Sequence, residues 1–275
     1  MARRLLQIDV TDDEVDLVSD VLWGIGVDGI EERDSPDGVT LVTEATDALI
    51  EAVDGRWRYE IVDIDLAESL DGWRRWATAT VLDAGAVHGT ETDGRPVVLR
   101  APWVPPPVAD ALEVVIDPGH AWGHGGHPST RGAAELLVRC SSRDDFSSAA
   151  VLDVGCGSGV LGVLAARLGA GRVVATDIDP AALEATPANA SGNGVVIDVV
   201  PALPSGRFDV VVANIDAVVL VDLVAALHTR LNPGGWLILS GMLERAVEQV
   251  RSRCLTLVEV DRWTDGEWVA LTLSP

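Results

Sequence analysis

Two kinds of hydrophobic pattern follow one another along the 275 residues of the chain. Up to residue 65, short stretches of alternating apolar and polar positions are separated by segments with helical spacing. From residue 151 onward, near-continuous runs of Val, Ile and Leu alternate with helical segments, which is typical of a parallel sheet buried on both faces. The pattern therefore predicts an α/β protein with two domains.

The first part contains the simpler pattern. Residues 4–10 alternate as a strand, and apolar positions from Val15 to Leu22 repeat at helical spacing before Gly24 and Gly26. Three more short strands and a second helix follow, which gives the β-α-β-β-α-β order of the ferredoxin-like plan. No residues in this part suggest catalysis. We predict a small ferredoxin-like recognition domain over residues 1–66 and a linker over residues 67–76.

Residues 77–275 are predicted to form the second domain. Two strands near its end are joined across a Thr-Asp-Gly turn, so one of them should run antiparallel to the rest of the sheet. Helices are predicted between the strands, at 159–168, 180–190, 218–230 and 243–252. The predicted strands are 151–155, 172–177, 195–200, 208–214, 236–240, 254–260 and 268–273.

Composition narrows the class of protein. Hydrophobic residues make up 48% of the chain, enough for a sizeable core. No run of 18 apolar residues is present, and the N-terminus lacks the apolar stretch of a signal peptide. The three cysteines are far apart and odd in number, so we predict neither disulfides nor a thiolate metal site. A cytoplasmic protein without a membrane span is the expectation.

The charge of the chain is strongly acidic and uneven. The formal net charge is −23, and all 20 basic residues are Arg. Residues 1–66 contain 18 Asp and Glu against 5 Arg, a net charge of −13. Such a surface repels bare nucleic acid. It is either a solubilising surface or a docking face for a basic protein.

A glycine-rich loop follows the strand at residue 151. Gly155, Gly157 and Gly159 form a G-x-G-x-G loop that leads into a helix, where backbone N–H groups can hold a ligand. Asp177 ends the next strand, 22 residues after Gly155, and is placed to bind ribose hydroxyls. Such an acid suits NAD or S-adenosylmethionine. The loop spacing, the terminal hairpin and Asn214, which ends the fourth strand, favour S-adenosylmethionine.

The segment 117–130 contains three histidines, His120, His124 and His127, among several glycines. Three closely spaced histidines invite a metal site, but the glycines make a helix improbable and no further ligands complete a site. We instead predict a loop that folds over a ligand and ends at a helix near Ser129. Thr130 would then lie in the first helical turn, where its hydroxyl either binds a ligand or caps the helix.

These residues resemble the PrmA-type family of ribosomal protein L-11 methyltransferases. Asp117 to Thr130 is similar to the family signature D-P-G-x-A-F-G-T-G-x-H-P-T-T, and Ala213-Asn214-Ile215 also matches. The resemblance implies a seven-stranded class I methyltransferase domain after a ferredoxin-like substrate domain. It further implies cofactor contacts, which fall here on Thr130, Gly155, Asp177 and Asn214.

Several positions depart from the family pattern. Trp122 replaces Phe, His124 replaces Thr, and Asp216 replaces Leu. A carboxylate at Asp216 would favour a cationic acceptor. Ala202-Leu203 stands where a polar adenine contact is common.

The predicted function is methyl transfer from S-adenosylmethionine to lysine or N-terminal amines of a basic protein, with the ribosomal protein favoured. Asn214 is the predicted catalytic residue, positioning the incoming amine, unless it serves only the cofactor. Asp216 or His127 could assist deprotonation. Asp153 either contacts the ammonium of the cofactor or is a structural acid that bonds loop amides. The alternatives are a relative acting on another protein or a small amine, and a non-catalytic binding module.

Overall fold

The structure is a computed structural model that separates into two compact units, Met1–Trp76 and Ala77–Pro275. It describes residues 2–11, 14–27, 30–35, 38–65, 77–82, 94–119, 121, 123, 125–254 and 256–275. The predicted linker at 67–76 lies outside these residues, so its boundaries stay a prediction. No helix in the described ranges is long and apolar enough to cross a membrane.

In the residues that the structure describes, the first unit contains four strands and two helices in the order β-α-β-β-α-β. All strand pairs are antiparallel, and the order across the sheet is β2-β3-β1-β4. The bounds are β1 (Ala2–Val10), α1 (Val15–Ile25), β2 (Glu31–Ser35), β3 (Gly38–Glu44), α2 (Asp47–Val53) and β4 (Arg58–Asp65).

The core of the first unit follows from the alternation in its strands. Leu6 and Ile8, two residues apart on β1, are buried against Val18 and Leu22 of α1. Helix α1 runs through Gly24, which was predicted to end it, and stops at Gly26, whose φ of 94° is a left-handed C-cap.

The second unit contains a small sheet and a large one. The small sheet has the order β5-β6-β7. In the large sheet the order is β10-β9-β8-β11-β12-β14-β13, and only β14 runs in the direction opposite to the other six strands. The strands are β5 (Thr80–Leu82), β6 (Val97–Arg100), β7 (Leu112–Val115), β8 (Ala150–Val154), β9 (Arg172–Thr176), β10 (Asp198–Val200), β11 (Phe208–Asn214), β12 (Leu231–Leu243), β13 (Val258–Asp265) and β14 (Trp268–Ser274).

Both faces of the large sheet are covered, as the continuous apolar strands predict. Successive residues of β8 show this. Val151 packs with helices α3 (Pro128–Cys140) and α4 (Val160–Arg167), whereas Leu152 packs with helices α6 (Ala217–His228) and α7 (Glu244–Arg251). The predicted antiparallel strand near the end is confirmed as β14. The helices are α3 (Pro128–Cys140), α4 (Val160–Arg167), α5 (Pro180–Gly192), α6 (Ala217–His228) and α7 (Glu244–Arg251).

One strand was placed wrongly. The prediction put it at residues 254–260, but β13 covers Val258–Asp265, and Cys254 follows the end of α7. Because β13 is an edge strand with mostly exposed or half-exposed side chains, it lacks the continuous apolar run that marks its buried neighbours.

Candidate active site

A cavity of about 840 Å³ opens at the carboxyl ends of three adjacent strands, β8, β9 and β11. The chain continues from β8 to β9 in one direction and returns to β11 on the other side of β8, so the cavity lies at the switch point of the sheet. The five predicted site residues all line it: Thr130, Gly155, Gly157, Asp177 and Asn214.

The glycine loop connects β8 to α4 through backbone conformations that suit only glycine. Gly155 has φ of 70°, and a Cβ atom there would lie 2.2 Å from Ile215 Cγ2. Its N–H donates to the carbonyl of Thr176 at 2.9 Å. Gly159, with φ of 82°, is the N-cap of α4. The loop therefore packs closely against the residue that follows β11.

Asp177 is fixed by the backbone around it. Its Oδ2 accepts the N–H of Gly157 at 2.9 Å, and its Oδ1 accepts the N–H of Asp179 at 3.0 Å. Each carboxylate oxygen can accept a second hydrogen bond. Asp177 can therefore hold a pair of hydroxyl groups in the cavity without losing its own anchoring bonds.

Asn214 and Thr130 meet across the cavity wall. The amide Nδ2 of Asn214 donates to Thr130 Oγ1 at 3.1 Å. The Oδ1 atom of Asn214 is buried and accepts no hydrogen bond from the part of the chain that the structure describes. A buried acceptor without a donor costs about 1–3 kcal/mol, so this atom suits a ligand that brings an N–H.

The predicted position of Thr130 in the first turn of a helix agrees with α3, which begins at Pro128. Its N-cap is His127, whose Nδ1 accepts the N–H of Ser129 at 3.2 Å. Capping is thus done by another residue, and the hydroxyl of Thr130 is bonded to Asn214 instead. The ring of His127 also packs edge-on against Trp268, with centroids 4.6 Å apart.

Two asparagines that the sequence reasoning missed anchor the segment before α3. Asn189 accepts the N–H of Asp117 at 2.9 Å and donates to the carbonyls of Asp117 and Ser158. Asn193 exchanges two hydrogen bonds with the backbone of Val115. Asn189 lies on α5 and Asn193 is its C-cap, and their spacing of four residues is the signal that could have shown a shared face. These amides extend β7 and tie it to the glycine loop.

Asp153 is buried beneath the glycine loop and is not among the described residues that line the cavity. Its Oδ2 accepts the N–H of Gly162 at 2.8 Å. Burial raises the pKa of this carboxyl to about 7, against the Gly162 hydrogen bond, which lowers it; the charge of Asp177 adds to the rise. This arrangement favours the structural alternative for Asp153.

The remaining candidates lie at the rim or outside the described residues. Asp216 borders the cavity and caps α6, its Oδ1 accepting the N–H of Val218 at 2.8 Å. Ala202 and Leu203 form part of the wall. No cluster of His, Cys, Asp and Glu that could hold a metal occurs in the described ranges. His120 and His124 lie outside them.

The large sheet has seven strands, of which β14, next to the edge strand β13, is reversed. This strand order, together with the cavity at the switch point, defines a Rossmann-like class I methyltransferase domain. The family model for ribosomal protein L11 methyltransferase (PrmA) matches residues 92–274. A ribosomal protein L11 methyltransferase of Methylobacillus flagellatus is 35% identical over 99% of both chains. The chain therefore belongs to the ribosomal protein L11 methyltransferase family.

Two further relatives agree with this membership. A ribosomal protein L11 methyltransferase of Pelobacter propionicus is 44% identical over 65% of this chain and 60% of its own length. The crystal structure of a ribosomal protein L11 methylase from Lactobacillus delbrueckii subsp. bulgaricus has 29% sequence identity and a TM-score of 0.59. The match covers 70% of this chain and 97% of that one. The predicted family, fold class and type of enzyme are confirmed.

Proposed function

We propose that this enzyme transfers methyl groups from S-adenosylmethionine to amines of ribosomal protein L11, on lysine side chains, the N-terminus or both. The observation that carries the proposal is the buried Oδ1 of Asn214, which lacks a donor among the described residues at the wall of a ligand-sized cavity. An incoming amine supplies such a donor. Membership of the L11 methyltransferase family supports the choice of acceptor.

The cavity fits S-adenosylmethionine by the chemistry of its lining. Asp177 would accept hydrogen bonds from the ribose hydroxyls, and Ala202 and Leu203 would contact the apolar faces of the adenine. Gly155 and Gly157, which have no side chain to fill the cavity, would border the methionine end, together with Thr130 and Asn214. When bound, the cofactor supplies a methyl group on a cationic sulfur, and this sulfur leaves as a neutral thioether when a nitrogen lone pair attacks the methyl carbon.

The task of the protein in this reaction is to orient a neutral amine. Asn214 Oδ1 would accept one N–H of the amine and leave its lone pair directed into the cavity. With Asn214 Nδ2 bonded to Thr130, Oδ1 is the end of the amide that faces the acceptor. Positioning of this kind accounts for a large share of the rate in reactions with an activated leaving group.

The acidic first unit is the proposed recognition domain for the basic acceptor protein. Residues 1–66 have a net charge of −13, which complements a basic partner. We expect deletion of residues 1–66 to abolish methylation of L11 while S-adenosylmethionine still binds. Unchanged L11 methylation by the truncated protein would refute this role.

The acidic charge also opposes direct binding of nucleic acid. The reaction is assigned to the cytoplasm, where free cysteines persist.

The direct test is intact-mass spectrometry of L11 from the same organism after incubation with the enzyme and S-adenosylmethionine. The proposal predicts mass increases in steps of one methyl group, lost when the enzyme is omitted. An unmodified L11 would refute it. Methylation of a different ribosomal protein in the same assay would favour a relative with another acceptor, and failure to bind the cofactor would favour a non-catalytic module.

A further inference from the structure

Asp216 occupies the cavity rim two residues beyond Asn214. Its Oδ1 accepts the N–H of Val218 and caps α6. Its Oδ2 has no partner in the part of the chain that the structure describes, and the side chain is exposed. One carboxylate oxygen is therefore held in place by the cap, while the other is left facing solvent at the entrance to the site.

The charged groups that line the cavity have a single sign. Asp177, Asp179 and Asp216 are the ionisable acids among the described lining residues, and His127 is the one further titratable side chain there besides Cys156. No Arg lines the cavity in those residues, and the whole chain contains no Lys. Asp177 already accepts two backbone N–H groups, and Asp179 caps α5 through the N–H of Ala181 at 2.9 Å.

An aliphatic surface continues from Asp216 along α6. Val219 and Leu223 lie about one and two turns further on the same face, and both line the cavity. Val219 is 44% exposed, although it is a large apolar side chain. A carboxylate followed by an exposed aliphatic strip complements a chain of methylene groups that ends in an ammonium.

We propose, building on the proposed function, that Asp216 determines specificity by selecting the acceptor as the ammonium of a lysine side chain. The methylene groups of that lysine lie along Val219 and Leu223. Asp216 steers the cation to Asn214 and is a positioning residue, not the atom that accepts the methyl group. A carboxylate near an ammonium favours the charged form, so Asp216 also raises the pKa of the bound amine.

The cap allows a clean variant. Asp216→Asn keeps an oxygen that accepts from Val218, because Asn and Asp are equally good N-caps, and removes only the charge. Asp216→Glu keeps the charge. Glu248→Gln removes one charge from an exposed position of α7 that is not among the described lining residues of the cavity, and it controls for net charge.

The experiment measures methylation of L11 by these variants at saturating S-adenosylmethionine, with methyl-lysine located by peptide mass spectrometry. Since the enzyme contains no Lys, every methyl-lysine comes from L11. We expect Asp216→Asn to raise the KM for L11 about tenfold at low salt and less at high salt, with Glu248→Gln unchanged. Asp216→Glu should stay within about threefold of the wild type.

The pH profile separates this role from a structural one. Without the carboxylate the amine loses its proton more readily, so the rising limb of kcat against pH should move to lower pH in Asp216→Asn. If Asp216→Asn had the same KM and pH profile as Glu248→Gln, the role of Asp216 would be overturned and the proposed function would stand. Methylation confined to the N-terminal amine would have the same consequence. No turnover by the wild type would reject the proposed function and this inference with it.

Discussion

The two sides of the cavity differ in how far their hydrogen bonds are satisfied within the protein. At the ends of β8 and β9, which we call the cofactor side, Gly155 and Gly157 donate to Thr176 and Asp177. At the end of β11, the acceptor side, Asn214 Oδ1 is buried and has no donor among the described residues. On the cofactor side these two backbone donors are bonded within the protein before any ligand arrives, whereas on the acceptor side Asn214 Oδ1 is left for a ligand.

This difference matches the two kinds of molecule that the proposed reaction brings together. A cofactor of fixed shape is bound best by a preorganised surface, since little ordering remains to be done on binding. An amine that must arrive, react and leave is better served by a single buried acceptor and an open rim. Ile215, which touches the glycine loop and follows Asn214, joins the two sides.

The largest effect is expected from a change that drives the two sides apart. Gly155→Ala places a methyl group 2.2 Å from Ile215 Cγ2 at a backbone with φ of 70°. We expect S-adenosylmethionine affinity to fall about a thousandfold, roughly 4 kcal/mol, by calorimetry. Gly194→Ala is the matched control, because its φ is 69° and no atom lies within 4 Å of the new Cβ. Equal affinities in the two variants would contradict the close packing.

The support beneath the cofactor side should make stability depend on pH. The pKa of Asp153 is about 7 in the folded protein, above its ordinary value of 3.8. The folded state therefore holds the proton more tightly, and the free energy of unfolding falls as pH rises from about 4 to 7, by about 4 kcal/mol. Asp153→Asn keeps an acceptor for Gly162 and should flatten that dependence in denaturant titrations. If the free energy of unfolding depended on pH in the same way in both proteins, Asp153 would not be the source of that dependence.

Removing the acceptor-side amide should reduce turnover more than cofactor binding. For Asn214→Ala we expect kcat to fall about a hundredfold, roughly 2.7 kcal/mol, with cofactor affinity changed less than tenfold. Steady-state kinetics and calorimetry measure the two quantities. Asn232→Ala makes the same truncation at an amide bonded to Asp209, away from the described cavity lining. Full turnover with normal affinity in Asn214→Ala would remove its positioning role.

A smaller change is expected from neutralising the cofactor-side carboxylate. Asp177→Asn retains an oxygen for the N–H of Gly157 but loses the acceptor for the N–H of Asp179 and the charge that strengthens bonds from hydroxyl groups. S-adenosylmethionine affinity should fall about tenfold, roughly 1.4 kcal/mol, with kcat at saturation nearly unchanged. Asp198→Asn, on the neighbouring strand β10, serves as the charge control. A larger loss of kcat than of affinity would place Asp177 with the acceptor side instead.

The sequence predicted the cavity better than the connections around it. Gly155 and Asp177 directly follow buried parallel strands and Asn214 ends one. Such strand ends meet at one edge of a sheet, so their meeting follows from the hydrophobic pattern. The bonds of Asn189 to Asp117 could not be predicted in this way, because the spacing of Asn189 and Asn193 indicates a shared helix face but not the backbone segment, 72 residues away, that Asn189 binds. Likewise, the exposed edge strand β13 resembles a loop in its polarity.

Titration of S-adenosylmethionine into the wild-type protein and Asn214→Ala tests the central claim most directly, because it asks whether the two sides of the cavity act separately. The account predicts one bound cofactor per chain in both proteins, with affinities within tenfold of each other, while Asn214→Ala methylates L11 about a hundredfold more slowly than the wild type in the same samples. Absence of binding to the wild type, or equal methylation by both proteins, would contradict it.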